Sequence, residues 1–291
     1  MSAIVAEIAS QPQAWRQAAW RSSELDSKLQ MPGRYIAAIG CGTSYFMAQA
    51  YAALRETLGL GPSDAFPASE VPDRQYDLMV AISRSGTTTE VARALRAVGD
   101  GLPTVALTAS HTGSVLDAAR QSFVLDFADE LAVVQTRFAT SALAFLRAGL
   151  GHDLEAVAAD GERALVADLP LDPSSYSQFV FLGTGWTLGV ANEAALKLRE
   201  AAGAWCESYP AMEYRHGPIS LAGKASAVWS FSPLPEDLAA EITATEALLV
   251  QPTLDPMAEL VLVHRVAVAL AEARGLDPDN PRYLSRSVVL E

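Results

Sequence analysis

Short apolar runs alternate along this chain with longer stretches whose apolar residues recur at helical spacing. Residues 1–31 read as helical, with Trp15, Ala18 and Ala19 on one face, and Pro32-Gly33 ends the segment. Residues 35–39 form an apolar run of strand character, followed by the turn Gly40-Cys41-Gly42-Thr43-Ser44 and a helical pattern to about Gly59. Residues 77–82 are a second such run, followed by Ser83-Arg84-Ser85-Gly86-Thr87-Thr88-Thr89-Glu90 and a helix through Val98. Residues 103–107 and 123–127 read as two more strands. Strands alternating with helices in this way predict a parallel sheet covered by helices on both faces.

Residues 131–150 and 152–168 read as two long helical stretches, and Pro170, Pro173 and the serines of 174–177 as a connection. The pattern then restarts, with a strand at 179–182, the turn Gly183-Thr184-Gly185-Trp186-Thr187 and a helix at 188–202. Gly40-x-Gly42 aligns with Gly183-x-Gly185, and both precede an Ala-rich helix. Residues 225–231 and 247–250 resemble the later strands again, and 257–274 reads as a core-packing helix with His264 in a structural place. The expected architecture is α/β, two doubly wound parallel-sheet halves related by internal duplication. They divide at 1–168 and 169–291, with a site where the halves or their copies meet.

Composition narrows the function classes. Half of the 291 residues are hydrophobic, but no apolar run nears the roughly 18–20 residues that span a membrane. Residues 1–13 lack the basic cluster and apolar stretch of a signal peptide, so a cytoplasmic protein is expected. Acidic residues outnumber basic ones by 34 to 21, a net charge of −13 that argues against nucleic-acid binding. The two cysteines, Cys41 and Cys206, make no disulfide framework, and His111, His152, His216 and His264 lack metal-ligand spacing. Neither a metal nor a cofactor is expected. Lys28, Lys197 and Lys224 are the only lysines.

Two segments carry candidate chemistry. Ser83, Ser85, Thr87, Thr88 and Thr89 place five hydroxyls in seven residues around Gly86, with Arg84 among them. At the C-terminal edge of a parallel sheet such a turn opens onto a helix N-terminus, where free N–H groups and the helix dipole favour an anion. A well-capped helix needs one or two hydroxyls; this density points to a phosphate cradle. The Gly40–Ser44 turn lacks the third glycine of a dinucleotide fingerprint, and no Gly-Lys-Ser/Thr follows, but Thr43 and Ser44 can donate to a sugar or phosphate. Glu193, Lys197 and Glu200 share a predicted helix face, ahead of Glu213-Tyr214-Arg215-His216-Gly217-Pro218. On pattern alone that face is a solvated charged one. A cation, a potential base and a potential acid so close in sequence would nonetheless be the set that proton transfer between neighbouring sugar carbons needs.

Together, Gly40–Ser44, residues 82–88, residues 193–218 and the C-terminal Asp279-Asn280-Pro281-Arg282-Tyr283-Leu284-Ser285-Arg286-Ser287-Val288 resemble the sugar isomerase (SIS) family, most of all the isomerase half of glucosamine-6-phosphate synthases. The resemblance implies two flavodoxin-like SIS subdomains. It implies that Ser83, Ser85 and Thr88, with Gly42, Thr43 and Ser44, bind the sugar phosphate, and that Glu200 moves the proton between C1 and C2. Lys197 would stand beside that base. His216 would assist ring opening from a neighbouring subunit, giving a homodimer with composite sites.

Three departures from the family pattern shape the expected function. The synthase's glutamine-hydrolysing domain is not in this sequence, so the chain is not expected to draw ammonia from glutamine by itself. Arg286 stands where the synthase has an imine-forming lysine, and a guanidinium stays protonated. Arg84 replaces a phosphate-loop glutamine and is expected to add a cation beside the phosphate; the two arginines could alternatively recognise a carboxylate or sulfonate. The leading expectation is a phosphosugar aldose–ketose isomerase or amino-sugar-phosphate deaminase. A fructosamine-6-phosphate deglycase, a non-catalytic sugar-phosphate-binding regulator and a synthase subunit served by another ammonia source are the alternatives.

Overall fold

The computed structural model describes residues 2–23 and 32–290. The helical segment expected at the start is two helices, α1 (Ala3–Ala9) and α2 (Gln11–Ser22), which meet at Ser10. Pro12 sits in the first turn of α2, where a helix tolerates its missing N–H. The remainder of that expected segment, 24–31 with Lys28, lies outside the described residues.

The first sheet is built from β1 (Ile36–Gly40), β2 (Ser63–Pro67), β3 (Leu78–Ile82), β4 (Thr104–Thr108) and β5 (Gln121–Val124), with α3 (Thr43–Thr57), α4 (Thr89–Ala97) and α5 (Ser114–Ala118) between them. All its strands are parallel, in the order β2-β1-β3-β4-β5. Helices α6 (Arg137–Gly149) and α7 (Leu154–Val166) lead to a second parallel sheet. It comprises β6 (Gln178–Gly183), β7 (Cys206–Pro210), β8 (Ser226–Ser230) and β9 (Leu248–Val250), in the order β7-β6-β8-β9. Helices α8 (Thr187–Ala202), α9 (Glu236–Ala244) and α10 (Pro256–Ala273) complete that half. The second order repeats the first without its last strand, as duplication predicts. A Cβ on Gly40 would lie 2.5 Å from the Ser44 carbonyl carbon, and one on Gly183 2.5 Å from the Leu188 nitrogen. The same tight strand-to-helix turn is thus made twice.

Two strands escaped the sequence reading. β2 (SDAFP) and β7 (CESYP) are polar edge strands that end in proline, with no buried run to mark them. Residues 131–136, expected to open a long helix, are irregular. Their backbone groups go to side chains instead: Leu131 and Ala132 N–H to Glu7, the carbonyls of Ala132 and Val133 to Arg84, and Thr136 N–H to Glu130.

The main core lies between the sheets. Ile36, Ala38, Val80 and Ile82 face it from the first sheet, and Phe179, Phe181, Ala227 and Trp229 from the second. The middle layer holds α3, α6, α8 and α10. The opposite faces of the sheets are covered separately, around Val91 of α4 and Leu238 of α9. The sheets fall on either side of residue 168, whereas the helical layer is shared by both. No described helix is long and apolar enough to cross a membrane.

Within that layer α3 crosses α8 at Gly189, where an added Cβ would lie 2.5 Å from the Phe46 carbonyl oxygen and 2.8 Å from the Ala50 nitrogen. Neither neighbour can move aside, since both are backbone. Gly189→Ala is expected to force the helices apart and destabilise the fold by ~1–3 kcal/mol. Urea denaturation checks this; an unchanged midpoint would refute so close a crossing.

Candidate active site

In the order β2-β1-β3, the turns after β1 and β3 leave neighbouring strands at the C-terminal edge. That is the switch point where open α/β sheets form a ligand crevice. Gly42 has φ 53° and leads into α3, whose first residues, Thr43 and Ser44, are buried. Cys41 is half-buried in this turn, and burial, then the Glu90 charge, raise its thiol pKa, which keeps it protonated.

The turn after β3 forms a cup of hydroxyls at the start of α4. Ser83 Oγ donates to Thr88 Oγ1 at 3.3 Å, and both the N–H and Oγ1 of Thr87 donate to Ser85 Oγ, at 3.2 and 3.1 Å. Gly86 makes this possible: its φ is 68°, and a Cβ there would lie 2.8 Å from Leu116 and 3.1 Å from the Thr112 carbonyl. The C-terminal segment lies on the cup. Ser287 Oγ is 3.0 Å from Ser85 Oγ and 2.9 Å from Thr87 Oγ1, and the Val288 carbonyl accepts from the Thr89 N–H at 3.3 Å.

Arg84 does not reach into this cup. Its guanidinium is buried and donates to the carbonyls of Ala132 (2.9 Å), Val133 (3.1 Å) and Arg286 (3.1 Å), 3.7 Å from the Glu130 carboxylate. The Glu130 carboxylate in turn accepts from the N–H groups of Thr136, Arg137 and Phe138 and caps α6 from outside the helix. The Arg286 side chain also turns to this loop, donating to Asp129 and the Glu130 carbonyl. Both guanidiniums that were expected to face a ligand thus hold the 129–136 loop and the C-terminal segment in place.

Helix α8 brings the second set together. Lys197 Nζ donates to Glu200 Oε2 at 2.5 Å and to Thr43 Oγ1 at 2.9 Å, and lies 3.3 Å from Glu193 Oε1. Thr43 Oγ1 also donates to Glu193 Oε1 at 3.3 Å, so its hydroxyl serves this cluster. Glu193 and Lys197 are fully buried, while the Glu200 side chain keeps 19% of its surface exposed. Burial raises the Glu193 pKa to about 8, with the Lys197 charge opposing the shift. Burial lowers that of Lys197, but the two carboxylates outweigh it and leave it above its ordinary value. The face read from pattern alone as solvated is therefore an interior ion cluster bound to the first half through Thr43.

His216 ends a 3-10 turn after β7 (Ala211–His216). Tyr214 is buried beneath it, and Arg215 is fixed by Asp237 and Glu241 of α9. His216 is left exposed, and among the described residues its side chain forms no hydrogen bond or ion pair. One chain thus joins Thr43, Lys197 and Glu200 directly and sets the hydroxyl cup on the turn after the neighbouring strand, but does not add His216 to them. Glu130, Asp129 and Ser287 were missed as parts of this region; no local pattern marks them, since their partners are remote in sequence. No group of three His, Cys, Asp or Glu side chains placed to hold a metal ion occurs among the described residues.

Residues 33–147 match the family model of the SIS domain. Among curated relatives, the glutamine–fructose-6-phosphate aminotransferases (isomerizing) of Pyrobaculum aerophilum and Methanothermobacter thermautotrophicus are each 28% identical; the matches cover 90% and 99% of this chain, and 52% and 57% of those proteins. The chain spans about half the length of these relatives. Among solved structures, glucosamine-6-phosphate deaminase from Thermotoga maritima superposes with a TM-score of 0.85 at 24% identity, over 99% of this chain and 100% of the other. Tagatose-6-phosphate ketose/aldose isomerase from Escherichia coli gives 0.82 at 19% identity, over 100% and 96%. The fold of the whole chain is that of these solved structures, and the family-model match lies in its first half.

The buried Arg84–Glu130 pair gives a direct test of how the cup is supported. Glu130→Ala strands a buried guanidinium and uncaps α6, and is expected to cost ~3–5 kcal/mol in denaturant unfolding. Glu130→Gln, which keeps an acceptor, should cost less; equal stability of Glu130→Ala and wild type would contradict the pairing.

Proposed function

We propose that this SIS-domain chain is a phosphosugar enzyme that moves a proton between C1 and C2 of an open-chain aldose or 2-amino-aldose phosphate. The observation that carries this reading is the Glu200 carboxylate, open to solvent on one side and held by the buried Lys197 ammonium 2.5 Å away. Thr43, at the switch point next to the hydroxyl cup, ties that cluster to the phosphate side of the crevice.

Ser83, Ser85 and Thr88, with the backbone from Gly42 to Ser44 and the start of α4, would hold the phosphate. Hydroxyls and helix N–H groups suit its oxygens. Binding energy at this remote group would position the reacting carbons. Glu200 takes the C2 proton, and the C–H electron pair becomes the C1–C2 double bond of an enediol or enolamine as the O1 carbonyl takes a proton. Return of the proton to C1 and loss of the O2 proton give the ketose. With nitrogen at C2 the product is an imine, and water then replaces it with a carbonyl and releases ammonia. A chain doing this needs no imine with its own lysine, in keeping with Arg286. His216, exposed and unattached, fits a ring-opening role in the site of a second copy, so that the working unit would be a homodimer.

The test uses fructose 6-phosphate, tagatose 6-phosphate and glucosamine 6-phosphate in D2O, with NMR for deuterium at C1 or C2 and an ammonia assay. Exchange with at least one sugar is expected. Glu200→Gln should lower turnover by ~10²–10⁴-fold, with sugar-phosphate affinity retained. Full turnover by Glu200→Gln would overturn the assignment, and saturable binding without exchange would favour a regulatory protein.

A further inference from the structure

Glu193 is a buried acid of this cluster to which the proposed reaction gives no task. Its side chain is wholly enclosed. Oε1 has two long contacts, Lys197 Nζ and Thr43 Oγ1, each at 3.3 Å, and Oε2 is buried without a partner. An ionised carboxylate has roughly four lone-pair sites to satisfy, and this one is poorly served. Glu200 shares the same ammonium at 2.5 Å and also reaches solvent. Two carboxylates on one ammonium leave an excess negative charge in a closed space. A proton resolves this, and it settles on the carboxyl with the weaker contacts.

We propose that Glu193 is a positioning residue that stays protonated in the working protein, so that the whole Lys197 charge serves Glu200, and that its ionisation draws Lys197 away and ends activity. The proposal rests on the proton-transfer reading of Glu200. The groups facing Glu193 are Lys197 and Glu200 on its own helix, Thr43 from α3 and, behind Lys197, His264 from α10. His264 does not compete: burial, then the Lys197 charge, lower its pKa to about 3, so it stays neutral. Burial raises that of Glu193 from an ordinary 4.5 to about 8, which places the transition on the alkaline side.

The first arm of the test needs no substrate. A native state that keeps a proton which the unfolded chain has released loses stability as pH rises from 4.5 to about 8 and levels off beyond. Glutamine at 193 has no such loss. The denaturation midpoint of Glu193→Gln should therefore gain on wild type across that range and then hold a constant lead. A gap that is flat with pH overturns the buried proton.

The second arm is the pH–rate profile on whichever sugar phosphate turns over. Wild type should lose rate above pH about 8. Glu193→Gln should lack that alkaline fall and lose less rate at neutral pH than Glu193→Ala, a smaller effect than the ~10²–10⁴-fold expected on removing a base. An alkaline fall that persists in Glu193→Gln, or its absence from wild type, overturns the positioning role while leaving Glu200 as the base. No turnover by wild type removes the functional reading and this role with it, whereas the stability arm still decides whether the proton is there.

Discussion

The crossing of α3 and α8 is the constraint on which the rest of the site depends. Gly189 lets the two backbones touch, and Thr43, Lys197 and Glu193 form a buried polar contact beside them. An ammonium taken out of water costs several kcal/mol unless it is fully paired. Lys197 meets that requirement with the Thr43 hydroxyl from the first half and the Glu200 carboxylate from α8, Glu193 Oε1 lying 3.3 Å away. Helix register is therefore specified chemically as well as sterically, and the carboxylate of the second half is set against the switch point of the first.

Duplication supplied two such switch points, and the halves have diverged. After β3 the first half has hydroxyls around Gly86 and a helix start free of proline, with one acid, Glu90, in its first turn. The corresponding stretch after β8 runs Phe231-Ser232-Pro233-Leu234-Pro235 into Glu236 and Asp237 at the start of α9. Prolines remove N–H donors, and two acids in the first turn, against one in α4, oppose an anion at a helix N-terminus more strongly. The hydroxyl cup is therefore found in one half, and the other contributes Lys197, Glu200 and the exposed His216. This asymmetry explains why a duplicated fold presents one crevice with unlike ends.

Much of this was legible in the sequence because it is local. The buried strands β1, β3, β4, β6 and β8 are short apolar runs, the glycine turns repeat, and five hydroxyls around Gly86 are dense enough to exceed helix capping. The edge strands β2 and β7 were not legible, because half-exposed polar segments acquire strand identity only by pairing with β1 and β6. The burial of the Glu193–Lys197–Glu200 face was equally hidden. Its spacing is that of an ordinary surface salt bridge, and only the presence of α3 above it turns a solvated stripe into an interior cluster. Residues 131–136 kept a helical pattern yet are irregular, since side chains from residues 7, 84 and 130 outbid the helix for their backbone groups.

The two arginines show how far a sequence position can mislead about charge. Arg84 stands inside the hydroxyl loop and Arg286 three residues past Tyr283 in the segment that covers it, so both look like ligands for an anion. Yet each spends donors on backbone carbonyls, Arg286 also on the Asp129 carboxylate, and the Glu130 carboxylate lies 3.7 Å from the Arg84 guanidinium. Their charge is neutralised on the spot, and what they gain is a fixed loop and a docked C-terminal segment. Neither arginine then offers its charge to the cup, and Glu90 stands in the first turn of α4, in a chain of net charge −13. An anion held there must rely on hydroxyl donors and on the first turn of α4, whose dipole is worth ~0.3–1 kcal/mol at an exposed site and up to about 2 when partly buried. Such a cradle selects by shape and donor count rather than by net charge, which suits a small phosphate better than an extended polyanion.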